Sequence, residues 1–325
     1  MTGISWTDET WNPIVGCSIV SPGCTNCYAM KMADRIQAMD SNKAAREFEA
    51  GHSHYHGTTK TVNGKPVWAG KVALAPDHII TKPFHWSWKK PRMVFVNSMG
   101  DLFHEDVPDE WIDRCFAVMA LCSHHTFQVL TKRSARMRAY CDGFAAWVRI
   151  GVLLDEMKPS YHWNGNVVQA AHYLSSGRPL PNVWLGISAE DQARWDERYP
   201  DLFETRAAIR FASFEPLIGR IDLCEAMGMW WNQTMNCFEA GASGAINRDK
   251  WGGKRLDWGI AGGESGPGFR PVARMEHFES LKTCCAAAGV SFFFKQDSGP
   301  RSGMRGRASD ELWACKEFPT PAAAD

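Results

Sequence analysis

The chain has 325 residues, of which 45% are hydrophobic, and this length fits one large α/β domain or two ordinary ones. Lys and Arg together number 36, as do Asp and Glu, so a nucleic-acid partner would need a local basic patch rather than an overall basic charge. The sequence contains neither a long apolar run nor a signal peptide, which predicts a cytoplasmic protein without a membrane segment.

Three cysteines, Cys17, Cys24 and Cys27, lie in one turn-rich loop near the N-terminus. An odd number of clustered cysteines in a chain without an export signal indicates metal binding rather than disulfides. A [4Fe–4S] cluster normally takes four cysteines, so three would leave one iron open. Structural zinc needs a fourth ligand, which a distant residue such as His52 or His104 could supply. The residues alone leave both metals possible.

The other cysteines lie in helical or apolar contexts, where a thiol behaves as a small buried hydrophobe. They are Cys115, Cys122, Cys141, Cys224, Cys237, Cys284, Cys285 and Cys315. Two stretches, residues 40–75 and 220–256, do not fit the pattern of alternating elements and are predicted to be inserted loops. The first contains His52, His54 and His56, which we expect on an exposed loop.

Short β-branched and aromatic runs recur along the chain and predict strands that are buried on both faces. The runs are Trp11–Val15, Met93–Asn97, Phe127–Thr131, Val183–Ser188, Ile209–Ser213, Leu256–Ala261 and Val290–Lys295. Helices are predicted between several of them, including Pro108–Ser123 and Met275–Ala288, the second ending at Gly289. Strands that alternate with helices imply a parallel sheet. We therefore predict an α/β fold, a full or partial (β/α)6-8 barrel with inserted loops, in a single domain over residues 1–325.

Six of the seven predicted strands end in polar residues, where a β/α barrel builds its site. These residues are Asn97, Ser98 and Asp101, then Lys132 and Arg133, Ser188 and Glu190, Glu215, Gly262, Gly263 and Glu264, and Lys295. Six such clusters predict a shared polar mouth. Lys295 would place an ammonium there that can hold a phosphate or a carboxylate.

Several phrases carry a resemblance that spans almost the whole chain. They are Trp6–Pro13, Ser21–Ala29, Phe95–His104, Leu130–Arg133, Asn182–Gly186, Phe211–Pro216, Gly262–Gly266 and Phe292–Gln296. The chain resembles the radical S-adenosylmethionine superfamily and, more closely, a phage and prophage family of radical-SAM-like three-cysteine proteins. It departs from the superfamily in its first cysteine gap, which is six residues instead of three, and in Tyr28, an aromatic residue that follows the last cysteine instead of preceding it.

The resemblance implies that Cys17, Cys24 and Cys27 hold a [4Fe–4S] cluster whose open iron binds S-adenosylmethionine. Reduction by a flavodoxin- or ferredoxin-type donor would then generate a 5′-deoxyadenosyl radical. Contacts to S-adenosylmethionine are expected from Asn97, Ser98, Ser188, Glu190, Gly262, Gly263 and Glu264. The expected catalytic residues are Lys295, Glu215 and Asp101.

The family's phage setting implies modification of a thymine-type nucleobase in DNA, or of a nucleotide, in the host cytoplasm. This would be similar to radical enzymes such as spore photoproduct lyase. The candidate contacts are two basic clusters and a pair of aromatic residues that could stack on a base: Lys132, Arg133, Arg136 and Arg138; Arg301, Arg305 and Arg307; Trp230 and Trp231. One alternative is a zinc-stabilised nucleic-acid-binding module without radical chemistry. Another is a hydrolase that uses Glu215, Glu264 or Asp101.

Overall fold

The computed structural model describes residues 3–44, 53–85, 90–157, 175, 177–227, 229–232, 237–240, 256–271 and 274–320. The chain divides into two compact units. The first comprises Met1–Thr2 and Thr7–Val183, and the second comprises Gly3–Trp6 and Trp184–Asp325. Among the described helices, none combines the length and the apolar character needed to cross a bilayer.

The first unit contains three parallel strands together with short antiparallel pairs and helices. Its strands are β1 (Glu9–Trp11), β2 (Ile14–Val15), β3 (Thr59–Val62), β4 (Lys65–Trp68), β5 (Ala73–Leu74), β6 (Met93–Val96) and β7 (Thr126–Thr131). Its helices are α1 (Tyr28–Ala44), α2 (Asp77–Ile80), α3 (Asp109–Leu121), α4 (Ser134–Asp142) and α5 (Phe144–Met157), with 3-10 turns at Pro22–Cys24 and Lys82–Phe84. β1, β6 and β7 pair in parallel in that order, whereas β2–β5 and β3–β4 are antiparallel.

The prediction of one strand over Trp11–Val15 is wrong. The parallel strand β1 ends at Trp11, and Ile14–Val15 turns away to pair antiparallel with Ala73–Leu74. Pro13 lies between them, and a proline has no backbone N–H to donate to a strand ladder. The helix predicted over Pro108–Ser123 is confirmed as Asp109–Leu121, with Pro108 as its N-cap.

The second unit contains four parallel strands. Its strands are β8 (Val183–Ser188, which begins at the boundary), β9 (Ile209–Phe214), β10 (Met229–Asn232), β11 (Cys237–Ala240), β12 (Trp258–Gly262) and β13 (Ser291–Gln296). Its helices are α6 (Gln192–Glu204), α7 (Cys224–Met227), α8 (Glu276–Ala288) and α9 (Asp310–Ala314). β8, β9, β12 and β13 pair in parallel in that order, and β10–β11 is an antiparallel hairpin.

The predicted α/β class is confirmed, since helices alternate with parallel strands in both units. Every residue of β8 and β12 is buried, as expected for strands covered on both faces. The predicted end of α8 at Gly289 is also confirmed, because Gly289 adopts the left-handed conformation with φ 67°. The single domain over residues 1–325 stays a prediction.

The two predicted insertions are described only in part. Within residues 40–75 the β3–β4 hairpin is described, and His54 is half-buried while His56 is exposed; His52 lies outside the described residues. Within residues 220–256 the β10–β11 hairpin includes Trp230 and Trp231. The structure describes the backbone of these two residues but not their side chains. Their stacking on bases stays a prediction. Five of the cysteines expected in the core are buried: Cys115, Cys122, Cys141, Cys284 and Cys285.

His125 in the core of the first unit predicts a loss of stability in acid. The side chain is 1% exposed, and its burial, with a smaller contribution from His124, lowers its pKa from 6.5 to about 4. Between pH 6.5 and 4 the unfolded state therefore binds more protons, so stability falls as the pH falls through this window, by about 3 kcal/mol at its lower end. Urea unfolding between pH 7 and 4.5 should show a shallower fall in His125→Gln than in wild type. The exposed His56→Gln is the control, and an equal fall in all three proteins would contradict the assignment.

Candidate functional site

The three cysteines lie in the segment between β2 and α1, which is folded by consecutive turns. The Cys24 amide donates to the Ser21 carbonyl at 3.0 Å, and the Cys27 amide donates to the Cys24 carbonyl at 3.3 Å. All three cysteines are free thiols; Cys24 is buried, whereas Cys17 and Cys27 are half-buried. The loop is therefore ordered by its own backbone without a disulfide.

Gly16 fixes the backbone immediately before Cys17. Its φ is +90°, and a Cβ at this position would lie 2.1 Å from the Lys71 carbonyl oxygen. The Gly16 amide also donates to the Met99 carbonyl at 3.1 Å. Three chain segments thus meet around Gly16, at a distance that only glycine permits.

Replacing Gly16 by alanine is expected to destabilise the protein by about 2 kcal/mol or more, because left-handed strain and a backbone clash add together. Gly70→Ala is the matched control, since Gly70 has φ +84° with no atom within 4 Å of an added Cβ. The control should show only the conformational cost, about 1 kcal/mol. Urea unfolding measures both, and equal costs would show that the Lys71 contact does not matter.

Cys27 lies at the N-terminus of α1, where its carbonyl accepts the Lys31 amide at 3.5 Å. Burial raises the pKa of Cys27, while the backbone N–H groups of Met30 and Ala29 and the side chain of Trp68 oppose that rise. The N-terminus of a helix favours a negative group, because its first N–H groups point outward. The position is therefore suited to a metal-bound thiolate.

Arg133, which follows β7, contacts Cys17 and the residue after it. Its Nη1 donates to the Cys17 Sγ at 3.4 Å, and its Nη2 donates to the Ser18 Oγ at 2.7 Å. Burial and, to a smaller extent, Asp101 raise the pKa of Cys17 to about 12, against the lowering effect of Arg133. The free group is thus a thiol at neutral pH, and a coordinating metal would displace its proton.

Asp101 is 4% exposed and holds Arg133 in place. Its carboxylate accepts hydrogen bonds from the Thr131 Oγ1 at 2.7 Å, the Phe103 amide at 3.0 Å and the Arg133 Nη1 at 3.1 Å. The Lys132 amide donates to it as well, at 3.1 Å. As it stands, Asp101 is a fully hydrogen-bonded carboxylate that positions the arginine beside Cys17.

His104, the described candidate for a fourth zinc ligand, already has a polar partner at each ring nitrogen. Its Nε2 lies 2.9 Å from the Ser18 Oγ, and its Nδ1 accepts the Asp106 amide at 3.1 Å. Burial and then Arg133 lower its pKa, which favours the neutral ring. Within the described ranges, no set of three or more ligand atoms close enough for one metal ion includes a loop cysteine. The ligand atoms around the loop cysteines are therefore too far apart, as they stand, to suit a compact zinc site.

Asn97 and Ser98, two of the expected S-adenosylmethionine contacts, lie against the same loop. Asn97 has φ +57°, and its Oδ1 accepts the Ile14 amide at 3.3 Å. Its Nδ2 is buried with no hydrogen-bond partner in the described part of the chain. The Ser98 Oγ donates to the Asn12 Oδ1 at 3.1 Å, and the Ser98 carbonyl accepts the Tyr28 hydroxyl at 2.9 Å. Most of their polar atoms therefore support the loop.

In the second unit, four of the expected residues come together. The Lys295 Nζ donates to the Glu215 Oε1 at 2.5 Å, and the Ser188 Oγ donates to the Glu215 carbonyl at 3.3 Å. A Cβ on Gly262 would lie 3.4 Å from both Glu215 and Lys295. Lys295 and Glu215 are partly buried, so the ion pair is shielded from solvent.

Among the remaining expected residues, the two glutamates of the second unit each contact an arginine. Glu190 is fully buried beside Arg198, whose Nη1 lies 3.4 Å from its carboxylate and donates to the Ser188 carbonyl at 2.7 Å. Glu264 accepts the Arg270 Nη2 at 2.5 Å. A Cβ on Gly263 would lie 2.3 Å from the Ser298 amide, so this glycine permits a close backbone approach. Both glutamates are therefore engaged with arginines.

The predicted basic clusters are largely paired with acids. Arg136 bonds Asp109 at 2.9 Å and Arg138 lies 3.7 Å from Asp142. The same holds in the second unit, where the pairs are Arg305–Asp310 at 2.6 Å and Arg307–Asp297 at 2.8 Å. Arg133 donates hydrogen bonds to Cys17 and Ser18 of the cysteine loop, a role that the sequence did not reveal. The only sequence signal for it was its place at the end of a predicted strand.

Comparison with known proteins gives one match. A family model described as "Protein of unknown function (DUF5131)" matches residues 1–311. Searches of curated proteins and of solved structures found no match. Because the match covers almost the whole chain, the protein belongs to the DUF5131 family.

Proposed function

We propose that the protein is a radical S-adenosylmethionine enzyme whose [4Fe–4S] cluster is held by Cys17, Cys24 and Cys27. The observation that carries the proposal is the ordered loop of three free thiols, one at a helix N-terminus and one beside a buried arginine. An iron–sulfur cube spreads its ligands over separate corners, so its thiolates need not approach as closely as ligands of a single ion. When bound, such a cluster supplies the electron that cleaves S-adenosylmethionine.

The chain's own residues would stabilise the charge of the thiolates. Arg133 donates to the Cys17 sulfur, and the first amides of α1 face Cys27, so positive partial charge lies next to two of the three ligands. Hydrogen bonds to cluster sulfurs also tune the reduction potential. Positive charge beside the sulfurs favours thiolates that hold an anionic cluster over thiols that remain protonated and unliganded.

The apolar residues beside the loop would keep water from the cluster. Met30, Ala33, Tyr55 and Trp68 form a buried group against which Cys17 and Cys27 pack. A dry wall of this kind limits solvent access and lowers the local dielectric constant. The proposal includes a partial β/α barrel, an architecture in which residues at strand ends build the site.

The proposed substrate is a nucleobase, in DNA or as a nucleotide, and this part rests on the resemblance. Because most arginines of the two basic clusters are paired with acids, we expect few phosphate contacts and a shallow dependence of binding on salt. Lys295 and Glu215 remain the proposed catalytic pair, since they lie together at the ends of β13 and β9.

The direct test is anaerobic purification followed by iron and sulfide analysis and incubation with S-adenosylmethionine and dithionite. We expect about four irons per chain and formation of 5′-deoxyadenosine. Stoichiometric zinc without iron in the folded protein would reject the proposal and favour the zinc-stabilised binding module. Iron without cleavage of S-adenosylmethionine would retain the cluster and reject the radical chemistry.

A further inference from the structure

Three side chains of the types that bind metal ions lie close together in the second unit. The carboxylate of Asp222 and the sulfurs of Cys224 and Cys284 all lie within 4.8 Å of one another, and in the described part of the chain no other group meets this spacing. Both cysteines are free thiols. We propose that this triad of Asp222, Cys224 and Cys284 binds one divalent ion of the zinc type, with a coordination position open to solvent.

The segment that carries Asp222 is held firmly in place. Its neighbours Ile221 and Leu223 are buried in the core, at 0% and 1% exposure, which turns the Asp222 side chain outward. Gln192 clamps the Asp222 backbone, accepting its N–H at 2.6 Å and donating to its carbonyl at 3.2 Å. A carboxylate on so fixed a backbone is preorganised as a ligand.

The two cysteines come from different helices and are brought together only by the fold. Cys224 begins α7, and its amide donates to the Asp222 Oδ1 at 2.9 Å. Cys284 lies on α8 and is 1% exposed, whereas Cys224 is half-buried and Asp222 is exposed. Cys284 is therefore the most buried residue of the triad, and an ion can reach the site from the solvent-exposed side, where Asp222 lies.

The ligand set selects the kind of metal. Two thiolates favour zinc over calcium or magnesium, which prefer oxygen ligands only. Three protein ligands leave the fourth tetrahedral position for water, as in zinc sites that bind or activate a further ligand. Arg220 lies 3.8 Å from the Asp222 Oδ2, and its charge would offset the excess negative charge of two thiolates and a carboxylate around a divalent ion.

The test uses Co²⁺ as a spectroscopic probe in the full chain with Cys17, Cys24 and Cys27 replaced by alanine, purified reduced and free of metal. We expect one equivalent of Co²⁺ to bind with a sulfur-to-cobalt charge-transfer band, and Zn²⁺ to displace it. Cys224→Ser should halve the band and weaken binding at least tenfold. Asp222→Asn should weaken binding while keeping the band, and Cys315→Ser, a half-buried thiol outside the triad, should change neither.

Two results would overturn the proposal: no charge-transfer band in the folded, reduced protein, or an unchanged band in both Cys224→Ser and Cys284→Ser. Circular dichroism checks that each variant is folded. If the triple-alanine background does not fold, the comparison is made in the protein with its loop cysteines intact. Wild type should then show a stronger charge-transfer band at saturating Co²⁺ than Cys224→Ser, and equal bands in the two proteins would reject the triad.

Discussion

Replacing Cys24 by alanine is expected to abolish iron binding while the protein stays folded. Cys24 is 7% exposed and lies in the 3-10 turn Pro22–Cys24. In the sequence it stands between the other two cysteines of the loop. With two thiolates left, a cubane cluster loses the ligand set that the proposal requires, so iron should fall from about four per chain to near zero. The lost packing is that of one small side chain, and we expect it to cost only about 1 kcal/mol.

Iron analysis after anaerobic reconstitution, together with circular dichroism, measures both expectations. Cys141→Ala is the matched control, because Cys141 is a fully buried cysteine on α4, outside the loop. It should keep wild-type iron with a similar loss of stability. Wild-type iron in Cys24→Ala, or equal losses of iron in the two variants, would separate Cys24 from the cluster.

The second large effect is expected at Arg133, where methionine should reduce the free energy of unfolding by about 3–5 kcal/mol. Arg133 and Asp101 have side chains that are each 6% exposed, and they lie 3.1 Å apart. Removing the arginine leaves a buried carboxylate without its counter-charge, and such a group is costly to keep in a low dielectric. The loss should appear in urea unfolding as a lower midpoint.

Two further variants distinguish a buried charge pair from a surface one. Arg138→Met removes a cation that is 40% exposed and 3.7 Å from Asp142, and it should cost less than about 1 kcal/mol. Adding Asp101→Asn to Arg133→Met should recover part of the lost stability, since the unpaired charge disappears. A cost at Arg133 no larger than that at Arg138 would show that the buried pair contributes little.

The strands of the fold were predictable because buried parallel strands read as short apolar runs. Residues 183–188 were predicted with the bounds that β8 has, and the run Met93–Asn97 differs from β6 by only one residue. The Trp11–Val15 run failed for a local reason: Pro13 interrupts the ladder, and the partner of Ile14–Val15 lies in a stretch predicted to be an insertion. Hydrophobic pattern predicts a strand but does not identify its partner.

The site was predictable at the level of positions rather than contacts. The sequence places polar residues near the strand ends; Asn97 directly follows β6, and Lys295 is the second-to-last residue of β13. The sequence does not show which polar atoms of these side chains are already hydrogen-bonded to other residues. Glu264 is engaged by Arg270, six residues later, and Asp101 by four donors; these pairings depend on loop conformation, which side-chain type alone does not specify.

The contact between Cys17 and Arg133 joins residues that are 116 positions apart in the chain. A ribosome must therefore deliver β6, β7 and the arginine after them before the early cysteine segment can acquire its final surroundings. Closing so long a stretch of chain is slow compared with forming its local turns. The hydrogen bond from Arg133 to the Cys17 sulfur therefore forms only after the chain has been synthesised beyond β7.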